Sequence, residues 1–107
     1  MQDFIRQLSR MRKDIERVGD ELKERYVEAE AGGGKVEVVF NGQQEPAKIT
    51  LDLEFVRSCC ASEEDLELLE DMILAAVSQA IQRSKELMRE EMDAVSGGLG
   101  GMLPGIF

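Results

Sequence analysis

Apolar residues recur at Phe4, Leu8, Met11, Ile15, Val18 and Leu22, in alternating steps of four and three. Such spacing keeps one apolar stripe on one face of a helix and predicts a helix over residues 3–25. The next seam position holds Arg25, which ends the pattern. The seam is short for a free coiled coil, so it is expected to pack on another helix of the same chain. The period then shortens to two. Val27, Ala29 and Ala31 alternate with Tyr26, Glu28 and Glu30, and Gly32-Gly33-Gly34 turns the chain back. Val36, Val38 and Phe40 alternate with Glu37 and Val39; Ala47, Ile49 and Leu51 alternate with Lys48, Thr50 and Asp52. These are strand signatures with one buried face, and they predict a three-stranded antiparallel unit. Asn41-Gly42, between the last two strands, favours the positive φ of a tight hairpin turn. Pro46 has no N–H to donate and belongs at an edge or a strand start.

After the strands, Leu53–Ala61 reads as a connector with Phe55 and Val56 turned inward. Ser62 is placed to cap a helix, and Ser62-Glu63-Glu64-Asp65 resembles a capping box with Asp in the fourth position. The acidic first turn suits the positive end of the helix dipole. From there a helix is expected to run to about Val95. Leu66, Leu69, Ile73, Ala76, Ala80, Leu87 and Met88 line one side, and Met72, Val77, Ile81 and Met92 widen it. That face is too wide for one helix to cover and suggests a dimer. The fold class is therefore α+β: one α-β-β-β-α domain over residues 1–95, with residues 96–107 as a flexible Gly-rich tail.

Composition removes most chemistry. The chain has no His, so the commonest general base and His-based triads and metal sites are absent. The two cysteines, Cys59 and Cys60, are adjacent and too close for an ordinary disulfide, and two Cys without His do not complete a zinc site. They are expected to be reduced thiols, at least one of them buried. Gly32-Gly33-Gly34-Lys35 is not a phosphate loop, because Ala29 and Val36 stand where Gly and Ser or Thr are required, and a strand follows instead of a helix. Met11, Met72, Met88 and Met92 fall on apolar helical faces and read as core filler. No enzyme, cofactor or metal is expected. No apolar run is long enough for a membrane span, and the start of the chain lacks signal-peptide character, so the expected setting is intracellular and without membrane contact.

The net charge of −9 argues against a uniformly basic nucleic-acid binder. Its distribution changes that picture. Residues 1–19 hold five bases against three acids, whereas residues 62–78 hold six acids and no base. Arg6, Arg10, Lys13 and Arg17 step by four, three and four, forming one basic stripe beside the apolar seam. If the two long helices pack antiparallel, Arg83, Lys85 and Arg89 are expected to join the same region. A stripe of this kind, without aromatic residues or a recognition motif, would hold DNA by its phosphates and read little sequence.

The ordered set of motifs resembles the YbaB/EbfC family of bacterial nucleoid-associated proteins. The resemblance rests on the basic, Met- and Gln-containing first helix and on Ala31-Gly32-Gly33-Gly34 followed by Val36-Glu37-Val38 and Asn41-Gly42. It continues through Ile49-Thr50-Leu51-Asp52, Glu67–Ile73, Ala75-Ala76 and Ala80, and closes on the Gly-rich stretch with Leu103-Pro104-Gly105 and Phe107. It implies a tweezer-like homodimer, with sheets as hub and helix pairs as arms. It also implies binding of double-stranded DNA that alters DNA conformation and nucleoid organisation, in the bacterial cytoplasm and nucleoid, without catalysis. The family has no fixed base-reading motif to transfer, so the DNA-contact candidates remain Arg6, Arg10, Lys13, Arg17, Arg83, Lys85 and Arg89. The competing reading is a protein-interaction module, an adaptor for recombination or replication factors whose acidic base or apolar helix face docks a protein partner and whose DNA contact is incidental.

Overall fold

A computed structural model describes residues 2–96. Helix α1 spans Gln2–Leu22, followed by strands β1 (Tyr26–Ala31), β2 (Val36–Asn41) and β3 (Pro46–Leu51), a short helix α2 (Leu53–Cys59) and a long helix α3 (Glu63–Ser96). The strands form one antiparallel sheet in the order β1-β2-β3. This is the expected α+β order. The Gly-rich tail expected over residues 96–107 falls, from 97 onward, outside the described residues, while Ser96 closes α3.

The main core lies between the sheet and the first half of α3. Ala29 of β1 and Val36, Val38 and Phe40 of β2 meet Leu69, Ala76 and Ala80, with Phe55, Val56 and Cys59 of α2 at one side. Cys59 is buried, Cys60 is exposed, and both are free thiols. A smaller core joins the two long helices: Val18 and Leu22 of α1 against Met92, flanked by Ile15, Leu87, Met88 and Val95. The helices run antiparallel, because α1 enters the sheet just beyond Leu22 while α3 leaves it.

The molecule is long and thin, 69 × 23 × 16 Å, with a radius of gyration of 19.1 Å. A compact domain of this length would have a radius near 13 Å. At 1.5 Å per residue α3 alone accounts for about 51 Å. The first turns of α1 carry the described molecule beyond Ser96, the last described residue of α3. Residues 2–10 are accordingly all exposed. The apolar seam therefore divides into two parts. Ile15, Val18 and Leu22 pack on α3, whereas Phe4 is 62% and Leu8 44% exposed.

Four local expectations are revised. The first helix ends at Leu22, not Arg25; residues 23–25 form a tight turn whose N–H groups bond to the carbonyls of Asp20, Glu21 and Leu22. The connector after β3 contains a helix, α2, because the Asp52 carboxylate caps it by accepting from the Phe55 N–H at 2.9 Å. Phe55 and Val56 do turn inward, as their apolar character required. The hairpin after Asn41 is no two-residue turn. It closes over Gly42–Glu45 with Gln44 at φ 60, and Gly42 is not among the residues with positive φ. Gly42 is needed for proximity: a Cβ there would stand 2.7 Å from Leu22 Cδ2 and 2.9 Å from the Leu22 carbonyl oxygen. Finally, β3 has no buried face. Ile49 and Leu51 sit opposite Val38 and Val36 and so share the core side of the sheet. They remain 53% and 38% exposed because α3 crosses β1 and β2 and leaves β3 uncovered.

The remaining signals are met. Gly32, Gly33 and Gly34 all take positive φ in the first turn, Pro46 opens the edge strand β3, and Ser62 Oγ accepts from the Asp65 N–H at 3.1 Å.

Candidate nucleic-acid interface

The projecting part of α1 concentrates positive charge. Residues 2–13 contain Arg6, Arg10, Arg12 and Lys13 against the single acid Asp3, a net of +3. All four bases are exposed. Among the described residues Arg6, Arg10 and Lys13 form no ion pair. Exposed, unpaired guanidinium and ammonium groups on a helix are free to meet an anion without first losing a partner.

The stripe changes character toward the sheet. Arg17 is held by Glu21 at 3.0 Å and by Asp14 at 3.7 Å. Arg12 lies 3.8 Å from Glu16. The half of α1 nearer the sheet is thus partly neutralised, and the end far from the sheet is not. Successive residues turn about 100° around a helix, so the stripe Arg6-Arg10-Lys13-Arg17 lies roughly 150° from the seam. It occupies the back of α1, turned away from α3, where the sequence reading had it beside the seam.

That placement separates the candidates of the two helices. Arg83 lies at the sheet, with its guanidinium donating to the backbone carbonyl of Glu28 in β1. It lines an open cavity of about 400 Å³ with Glu28, Glu30, Glu37, Lys48 and Thr50. This surface is acidic on balance. Lys85 and Arg89 are exposed, lie one turn apart beside the root of the arm and form no ion pair among the described residues. They flank α3 and do not extend the stripe on the back of α1. Arg12 was not singled out from the sequence because it falls off the four-three spacing. It belongs to the basic end all the same, since it is exposed like Arg6, Arg10 and Lys13. The signal for it was the local charge count, not the periodicity.

No group of three or more His, Cys, Asp or Glu among the described residues could hold a metal ion. No described helix is long and apolar enough to cross a membrane.

Comparison with known proteins places this geometry in context. The chain is 43% identical over 105 residues to a nucleoid-associated protein of Acetivibrio thermocellus, covering 98% of this chain and 88% of that one. It is 38% identical over 107 residues to a nucleoid-associated protein of Pelotomaculum thermopropionicum, covering 100% and 95% of the two. In fold it resembles the crystal structure of the uncharacterized protein HP0035 from Helicobacter pylori, with a TM-score of 0.65 over 78% of this chain and 82% of that one; identity there is 23%, so the likeness concerns the fold. The model of the YbaB/EbfC DNA-binding family matches residues 1–99, and with these relatives it shows that the chain belongs to that family.

Proposed function

We propose that this protein is a nucleoid-associated DNA-binding protein of the bacterial cytoplasm that acts as a tweezer-like homodimer and alters the conformation of double-stranded DNA without catalysis. The observation that carries the reading is the exposure of Arg6, Arg10 and Lys13 on α1, with no ion pair among the described residues, on a molecule of net charge −9. Arg6, Arg10 and Lys13 contact backbone phosphates first, and Arg12 and Arg17 support them. Lys85 and Arg89 add a second, weaker contact near the root of the arm. Arg83, bonded to the sheet, contributes least. Contacts of this type position a duplex without reading its bases.

The second copy is expected on β3. Ile49 and Leu51 carry the apolar core side of the sheet past the edge of α3, and Leu53, two residues on, is exposed as well. A join at the sheet places the acidic parts of both copies at the centre and the two basic ends outward. The relatives named as nucleoid-associated proteins support the biological setting.

The test is a salt titration of duplex binding by the wild-type protein and by an Arg6/Arg10/Lys13→Ala variant. Binding should weaken steeply with salt in the wild type and be largely lost in the variant. Equal binding by both would overturn the site. No duplex binding by the wild type at low salt would favour an adaptor that docks proteins through its apolar or acidic faces.

A further inference from the structure

Apart from Arg83 of α3, which donates to the Glu28 carbonyl of β1, the polar contacts that join the arm to the sheet converge on one loop. Ser84, 0% exposed in the middle of α3, donates its hydroxyl hydrogen to the Asn41 carbonyl at 2.6 Å. The same oxygen accepts from the Gln44 backbone N–H and from Gln44 Nε2, each at 2.9 Å. One hydrogen and two lone pairs are all a hydroxyl has, so Ser84 is fully used. Gln44, the one non-glycine described residue with positive φ, is thereby tied to α3 through both backbone and side chain. On the other side, the Gly42 N–H donates to the carbonyls of Leu22, at 2.9 Å, and Arg25, at 2.8 Å. Gln43 Nε2 donates to the Gly19 carbonyl of α1. The Asn41 side chain closes the loop on itself, accepting from the N–H groups of Gln43 and Glu45 and donating to the Glu45 carboxylate and, at 3.4 Å, to the Lys23 carbonyl.

This loop touches α1, the turn after it and α3 at once, where the arm leaves the sheet. Apolar packing between the helices resists separation but is non-directional. Hydrogen bonds fix orientation. We infer that the Asn41–Glu45 loop is the joint that sets the direction of the α1–α3 arm relative to the sheet, with Ser84 and Gln43 as positioning residues for the basic stripe. In a dimer joined at the sheet, that direction determines the separation of the two stripes and hence the shape imposed on DNA. The functional consequence rests on the DNA-binding reading; the mechanical claim does not.

The test uses the full chain in a Cys60→Ser background, Cys59 being buried, with spin labels at Ser9→Cys on the arm and Thr50→Cys on the sheet, diluted with unlabelled protein to isolate distances within one copy. The parent should give one narrow distance distribution. Ser84→Ala and Gln43→Ala should each broaden it while helix content is retained. Duplex affinity should fall about three- to tenfold through lost pre-organisation. Gln43 is half-buried and its loss is the milder change, so it keeps the test open should Ser84→Ala fail to fold. Unchanged distance distributions in the folded variants overturn the joint. The Arg6/Arg10/Lys13→Ala protein should keep the parent distribution while losing DNA, so failure of the DNA reading and failure of the joint are told apart. A broadened distribution in that variant would also count against the loop as the controlling element.

Discussion

Arg6 and Arg17 are the same residue type on the same stripe, yet they are not equivalent. Arg6 has no acidic partner among the described residues, while Arg17 must give up Glu21 and Asp14 to engage a phosphate. Each phosphate contact contributes about −0.9 to the slope of log affinity against log salt. Arg6→Ala, which removes one contact from each of two arms, should therefore flatten that slope by about 2, and Arg17→Ala by clearly less. A titration in which Arg17→Ala flattens it as much as Arg6→Ala would contradict this ranking. Gly42 illustrates a different residue-scale effect. Its amide reaches two carbonyls at the end of α1, and a methyl group would collide with Leu22. Gly42→Ala should lower stability by about 1–3 kcal/mol, the usual range for overpacking. Urea unfolding would show it as an earlier midpoint, and an unchanged midpoint would show that the loop can yield.

At the scale of elements, α2 and β3 are where pattern reading and structure part. Helix α2 has seven residues, too few for an apolar period to stand out, and its clearest mark is the Asp52 cap. The cap secures a helix that supplies Phe55, Val56 and Cys59 to the core. Asp52→Ala should cost about 1 kcal/mol, with the native far-ultraviolet circular dichroism spectrum retained before the transition. Strand β3 shows the reverse: its alternation was legible, but its burial was not. Alternation identifies which side of the sheet Ile49 and Leu51 face; it carries no information on whether anything lies over them. If a second copy covers them, Ile49→Glu/Leu51→Glu should sediment as a folded monomer where the wild type sediments as a dimer. An unchanged dimer would place the join elsewhere.

The whole molecule separates charge along its 69 Å length. The six acids of residues 62–78 lie on the half of α3 that packs on the sheet, and the unpaired bases lie at the opposite end. On the proposed reading a duplex is attracted to the ends of the arms and repelled by the hub, even though the protein as a whole is acidic. With the three unpaired stripe residues engaged on each of two arms, the salt slope should be on the order of −5. A slope shallower than about −2, measured over the same salt range, would mean that only one or two phosphates are engaged and that the paired-arm arrangement does not operate.

The sequence by itself determined the order of the two long helices and three strands, the antiparallel pairing of the strands, the residues that face the core and the basic stripe. All of these follow from local period and charge spacing, which are properties of consecutive residues. Only the tertiary structure decided that the stripe of α1 faces away from α3, that Arg83 is bonded to the sheet and that Ile49 and Leu51 stay uncovered. Each of these depends on how far one element slides or turns against another. Relative placement of this kind is fixed by contacts such as Ser84 with Asn41 and Gly42 with Leu22, which join residues 43 and 20 positions apart and leave no trace in any local pattern.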